Sequence, residues 1–350
     1  MSTAALVAFN LLLNALASFA VAWALARAAL LVMRAPPGRV ETALLALPFA
    51  KLLHDFVRGV PTGSFLWLRA RGVDQDLGSF RIEVGIERGL LKLDMALEAL
   101  SAGARYPQSA ADLLAAGLSR HVGRWVPAAA VALIVPVALV LLARRAAAWR
   151  ALASLRARLQ RAGRLGWRRA GLRRVDIFLD EEERGGTPWS TGVVRPFICF
   201  PAATWTAMSA AERRAALAHE LAHVTEQHLL LLLLVGFCGD LFWFVPGIGR
   251  AERAVRAGCE RAADARALRR CSPVELASAL VRAREATGRH LPFAGAVLGA
   301  DGGEGAARIS WLLAGARSAP RGPFRYPIAR AALAVWVSAS VLGALVLGNH

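Results

Sequence analysis

The chain has 350 residues, is 56% hydrophobic, and carries 43 Lys or Arg against 25 Asp or Glu, a formal net charge of +18. Its mean hydropathy of +0.43 exceeds that of an ordinary soluble domain and argues against a purely soluble fold. The basic excess does not mark a nucleic-acid binder: no RNA-binding signature or zinc-finger spacing is present, and most of the excess flanks apolar segments, where anionic lipid headgroups account for it.

Residues 4–26 carry no charge, enough helix at about 1.5 Å per residue to cross a bilayer. Ala24-Leu25-Ala26 resembles a signal-peptide cleavage site, but the leading residues lack positive charge and the apolar stretch is too long for a signal core. An uncleaved anchor is expected. Residues 41–60 form a weaker span, interrupted by Glu41, Lys51, His54 and Asp55, so 1–60 is read as two N-terminal membrane spans. Segment 61–125 is an outer loop in which Ser79–Ile86 alternates like a strand and Ser109–Leu118 looks helical, an inert cap more than a sensor. Residues 126–143 are the third span and 330–350 hold the last. Between Arg144 and Arg174 stand eleven Arg and no acid, whereas 61–125 holds eight basic against seven acidic residues. The positive-inside rule therefore places 144–329 in the cytoplasm of a multi-pass protein of the inner (plasma) membrane.

Within that cytoplasmic part, Val175–Asp180 and Val193–Phe200 read as short strands. Pro196 has no amide donor, which confines the second strand to an edge or a bulge. Ser209-Ala210-Ala211-Glu212 is a capping box opening a run of strong helix formers. About three turns in stands His219-Glu220-Leu221-Ala222-His223. Residues four apart share a helical face, so both imidazoles can aim at one metal ion, with the Glu220 carboxylate placed to take a proton from water activated there. A solvated helix bearing two His and one Glu by coincidence is the competing reading.

Such a site needs a third protein ligand, and Glu260, four residues before Asp264, supplies a carboxylate on a later helix. Asp264 would accept the free N–H of a ligand imidazole and fix its tautomer. The alternative is a surface charge pair in an Arg-rich helix. Cys259 faces about 100° away from Glu260 on a helix and is discounted as a ligand. Cys199, Cys238, Cys259 and Cys271 form no C-x-x-C pair and are expected to be free thiols. Residues 229–247 are nearly all apolar yet should not cross the membrane, because a crossing would leave Glu260 about 30 Å from the His pair. A hairpin that dips into the bilayer and returns is expected. Ser272-Pro273-Val274-Glu275 opens another helix that stops near Gly288, and 289–325 reads as loop with one short helix around Ile309–Leu313.

Three blocks together resemble the BlaR/MecR-type antirepressor family of membrane zinc metallopeptidases. They are Thr187–Pro201, similar to a P-x-x-x-G-x-x-x-P-x-I-x-x-P signature; the His219–His223 helix; and Trp243-Phe244-Val245-Pro246 followed by the Glu260–Asp264 helix. The resemblance spans roughly 140–315. It implies one zinc ion per chain on His219, His223 and Glu260, Glu220 as catalytic base, and Asp264 in support. It also implies an edge strand, read here as Val193–Phe200 with Val193, Val194 and Ile198, that takes an extended substrate. His228 departs from the pattern, standing where these peptidases more often carry an acid. A His there is more like the CAAX-prenyl-endopeptidase and heat-shock membrane peptidases.

The expected fold is mostly α: a polytopic membrane protein with a cytoplasmic-side zinc metallopeptidase domain containing a small β-sheet. The expected function is a gluzincin-like zinc endopeptidase acting in signal transduction by cleaving a cytosolic repressor-like protein. The alternatives are a quality-control or CAAX-prenyl-type membrane endopeptidase, and a non-catalytic signalling scaffold that would have no need of Glu220. Protein or peptide substrate, membrane lipid and a repressor are the implied partners, with no direct nucleic-acid contact. The β-lactam sensors of the family carry a penicillin-binding domain after the last span. No S-x-x-K involves Lys51 or Lys92, the two lysines of the chain, so covalent β-lactam binding is not expected.

Overall fold

The computed structural model of the chain describes residues 3–34, 36–58, 67–74, 79–85, 121–123, 125–182, 186–287, 302–314, 334–335 and 337–338. Helix α1 (Thr3–Met33) packs along α2 (Arg39–Arg58). Their contact encloses a charged pair: Lys51 Nζ lies 2.7 Å from Asp55 Oδ1, and Ser18 Oγ donates to Asp55 Oδ2 at 2.9 Å. Strands β1 (Trp67–Asp74), β2 (Ser79–Gly85) and β3 (His121–Gly123) form an antiparallel sheet in that order. The helix expected at 109–118 lies outside the described residues, as does most of the expected last span, of which Val337 packs against Ala22, Met33 and Leu44.

Helix α3 (Trp125–Ala162) begins apolar and ends rich in Arg. Residues Ala129–Ala162 make it, among the described residues, the one unbroken helix long and apolar enough to cross a membrane. Leu133, Leu139 and Val140 on it are exposed.

A second, mixed sheet follows: β4 (Gly166–Ala170), β5 (Arg173–Asp180), β6 (Trp189–Thr191) and β7 (Phe197–Pro201), in the order β4-β5-β7-β6. Strands β5 and β7 are parallel and the two outer pairs antiparallel. Side-chain alternation splits the sheet cleanly. Val175, Ile177, Ile198 and Phe200 face the core shared with the later helices, while Phe178, Phe197 and Cys199 pack on Leu159 of α3.

The strand expected over 193–200 is corrected by this topology. Residues 192–196 form the turn of a β6–β7 hairpin, in which Gly192 has φ +89° and a Cβ would sit 2.5 Å from the Arg195 carbonyl oxygen. Pro196 lies in that turn, where no ladder donor is required. β7 is paired on both sides, so Val193 and Val194 are turn residues, Ile198 is fully buried, and none of the three lies on an open edge. Among the described residues the open edge on that side is β6.

Helices α4 (Ala202–Ala207), α5 (Ala210–Thr225), α6 (His228–Leu241), α7 (Ile248–Ala267), α8 (Pro273–Thr287) and α9 (Gly302–Leu313) complete the chain. At Gln227, whose φ is +59°, the chain breaks between α5 and α6 with a bend of 61°. Turn 242–247 then reverses direction, and α7 runs back against α5. Asp240 on α6 is met by Arg145 of α3, and Gly236 leaves the space that guanidinium fills. Helix α2 is part of the same body: a Cβ on Gly258 would lie 2.9 Å from Leu45 Cδ1, and Arg261 Nη2 is 2.5 Å from Glu41 Oε1. Helix α9 starts seven residues earlier than the short helix expected from sequence, because its leading glycines masked it.

Candidate metal centre

Helix α5 carries the first two candidate ligands, and its start is fixed on both sides. Ser209 Oγ accepts from the Glu212 amide at 3.2 Å, while Glu212 Oε2 accepts from the Ser209 amide at 2.7 Å. Glu212 Oε1 also accepts from Ser278 Oγ of α8 at 2.5 Å. Burial raises the Glu212 carboxyl, but the Ser278 and Ser209 bonds outweigh it and hold it below its ordinary range.

One face of α5 meets one face of α7. His219 Nε2 and His223 Nε2 are 3.2 Å apart; Glu260 Oε2 is 3.4 Å from the first and Glu260 Oε1 is 3.6 Å from the second. Four-coordinate zinc with ligands about 2.0–2.2 Å out has donor–donor edges of about 3.3–3.6 Å. The two imidazole nitrogens and the two Glu260 oxygens thus lie at separations close to those edges, and two imidazoles with a carboxylate are a donor set zinc accepts.

Both imidazoles are held from behind. Asp264 Oδ1 lies 2.9 Å from His219 Nδ1, and His228 Nδ1 lies 3.2 Å from His223 Nδ1, so each Nε2 faces the triangle. Asp264 is fully buried and is gripped by Arg308 of α9, with Nε 2.9 Å from Oδ2 and Nη2 2.8 Å from Oδ1. Arg308 Nη1 reaches Glu260 Oε2 at 2.8 Å, tying the third ligand to the same guanidinium.

The electrostatics favour positive charge at this point. Burial alone would depress the His219 imidazolium, yet hydrogen bonds and charges from Asp264 and Glu260 raise it to about 10. Burial lowers His223 to about 3, keeping that ring neutral. Burial pulls Glu260 upward, but the facing imidazoles and Arg308 hold it well below the usual carboxylate range. Glu220 behaves differently: burial pushes its carboxyl up to about 7, with His219 and a hydrogen bond from Ser190 of β6 pulling the other way. Glu220 thus sits near the neutral range that suits a general base.

His219, Glu220, His223 and Glu260 line a cleft of about 440 Å³. Trp189 and Ser190 of β6 form one wall, and Leu276, Leu280 and Trp311 form an apolar one. Sequence reasoning missed Ser190 and Arg308. Ser190 lay unremarked in a motif block, and nothing in the glycine-rich stretch before Arg308 marks it. Its place appears only when α9 is seen packing on α8.

An H-E-x-x-H helix, a carboxylate returned by a second helix and a β-edge along the cleft are the arrangement of a metallopeptidase site. A family model described as BlaR1 peptidase M56 matches residues 120–298, and the chain belongs to that family. No curated protein and no solved structure matches the chain. Family membership supports a membrane-associated metallopeptidase.

Proposed function

We propose that the chain is a multi-pass membrane zinc endopeptidase that cleaves polypeptides from the cytoplasmic side, a repressor-like regulatory protein being its substrate. The observation that carries the reading is the triangle of His219, His223 and Glu260 with Glu220 on the same cleft. The Arg-rich stretch after the apolar half of α3 supports the sidedness.

In this reading an extended substrate segment adds to the free side of β6, pairing with the backbone at Trp189–Thr191 and bringing a peptide bond over the His pair. Zinc bound there supplies Lewis-acid polarisation of the scissile carbonyl and makes water acidic enough to deprotonate near neutral pH. Glu220, held by Ser190, removes a proton from the attacking water and delivers it to the leaving amine. Asp264 and Arg308 keep His219 and Glu260 in place, and His228 does so for His223. Leu276, Leu280 and Trp311 receive an apolar side chain beside the cut.

Comparing the proteomes of cells carrying wild type and Glu220→Gln tests the substrate. Accumulation of one small DNA-binding protein in the variant is expected. Accumulation of many damaged membrane proteins would replace the regulatory reading with quality control.

A further inference from the structure

Among the described residues the sheet has a second open edge, β4, on the side away from the cleft, and its chemistry has no role in the metal centre. Residues 161–176 hold six Arg and one acid, Asp176. Arg164 and Arg174 share that acid, each 3.2 Å from Oδ1. On the face of β5 that carries Phe178 toward α3, but nearer the β4–β5 turn, Arg169 of β4 stands directly opposite Arg174 of β5 in the ladder. Like charges paired across strands destabilise a sheet, and neither residue is buried. Trp167 beside them is 47% exposed, with the Arg174 guanidinium 5.2 Å from its ring centroid. On the other face Arg168 is exposed, and its Nη1 donates to the Trp167 carbonyl oxygen at 2.9 Å.

Charges on an edge strand can serve only to block aggregation. That role does not require a second Arg on the neighbouring strand or an exposed Trp on the edge itself. The patch lies beyond the Arg-rich end of α3. Arg158 meets Asp180, and Arg164 meets Asp176, so β5 runs antiparallel to the end of α3 and the β4–β5 turn lies at the end of β5 away from the apolar half of α3. Nineteen helical residues, about 28 Å, already separate residue 143 from Ala162 at the end of α3.

We infer that the β4 edge is a docking site for an acidic, extended polypeptide segment, which adds to the sheet as a fifth strand. The inference rests on the peptidase reading only in naming that segment as part of the protein substrate. An added strand alternates its side chains between faces, so two adjacent acidic residues would meet Arg169 with Arg174 on one face and Arg168 on the other. A polypeptide is favoured over nucleic acid because an open strand edge offers backbone donors and acceptors in the register a polypeptide completes. Edges β4 and β6 are three strand spacings apart, about 14 Å. A strand added outside each edge makes five spacings, about 24 Å, so the docked segment and the scissile bond of one substrate are separated by at least about seven residues.

The test uses the full-length Glu220→Gln protein in detergent and a fluorescein-labelled octapeptide, Thr-Val-Glu-Glu-Val-Thr-Val-Thr, read by anisotropy. Saturable binding is expected, weakened about tenfold or more by the paired substitution Arg169→Glu and Arg174→Glu. The milder pair Arg169→Gln and Arg174→Gln, with unchanged thermal unfolding, guards against misfolding. Alternate backbone N-methylation of the peptide should abolish binding while leaving its charge. Equal binding of the N-methylated peptide, or of its Lys-for-Glu counterpart, would overturn the inference, as would tight binding of a DNA duplex with none of the peptide. Because the readout is binding, peptide binding by Glu220→Gln together with a wild-type protein that hydrolyses no polypeptide upholds the docking site and removes the peptidase reading alone.

Discussion

Arg308→Met removes the guanidinium that joins Asp264 and Glu260 while retaining most of the apolar stem. Three bonds of 2.8–2.9 Å are lost, and Asp264, fully buried, keeps His219 as its facing partner. Removing one member of a buried ion pair costs about 3–5 kcal/mol; the remaining imidazole places this case near about 3 kcal/mol. The same change frees Asp264 to turn from His219 Nδ1 and Glu260 to leave the triangle, weakening zinc by about 10–100-fold, as loss of supporting contacts does. Arg308→Lys keeps the charge without the fork and should recover only part of either quantity. Thermal unfolding in detergent and chelator competition for zinc read the two effects. If Arg308→Met matched wild type in both, Arg308 would be an incidental surface charge and the description of the site's support would be wrong.

Glu212→Ala removes the side-chain acceptor for both the Ser209 amide and Ser278 Oγ, costing about 1 kcal/mol at neutral pH. Because the folded carboxyl is held below 4.5, the wild-type advantage is present above about pH 4.5 and is lost as pH falls through the folded-state value; acid titration of thermal stability in both proteins checks this. Cysteine substitutions at Gln227 and Arg250 should be labelled from the same, cytoplasmic, face, and opposite faces would contradict a returning α6–α7 hairpin. Gly258→Leu, in contrast to Gly258→Ala, should push α2 from α7 through Leu45 and lower zinc affinity with it; unchanged affinity would show that α2 does not position Glu260.

The site was legible in sequence where chemistry repeats at helical spacing. His219 with His223 and Glu260 with Asp264 each lie four residues apart, and the structure brings both pairs to one point. The capping boxes at Ser209 and Ser272 were equally readable, since each depends on residues three positions apart. Strand order was not. Val193–Phe200 reads as a short apolar strand, but whether a strand lies at an edge depends on β5 and β6, whose pairing is non-local, and the Gly192 turn consumed its first residues. Arg308 acts across 44 residues from Asp264, a separation at which no local pattern reports contact. His228 was visible as a departure, yet its approach to His223 depends on the left-handed Gln227 that turns α6 back toward α5.

Metal content and proteolysis measured together on three full-length proteins in detergent test the central claim most directly. Wild type should hold about one zinc per chain and cleave an unstructured protein substrate. Glu260→Ala should lose both the metal and the activity, and Glu220→Gln should keep the metal and lose the activity. Full proteolysis by Glu220→Gln, or undiminished zinc in Glu260→Ala, would contradict the account.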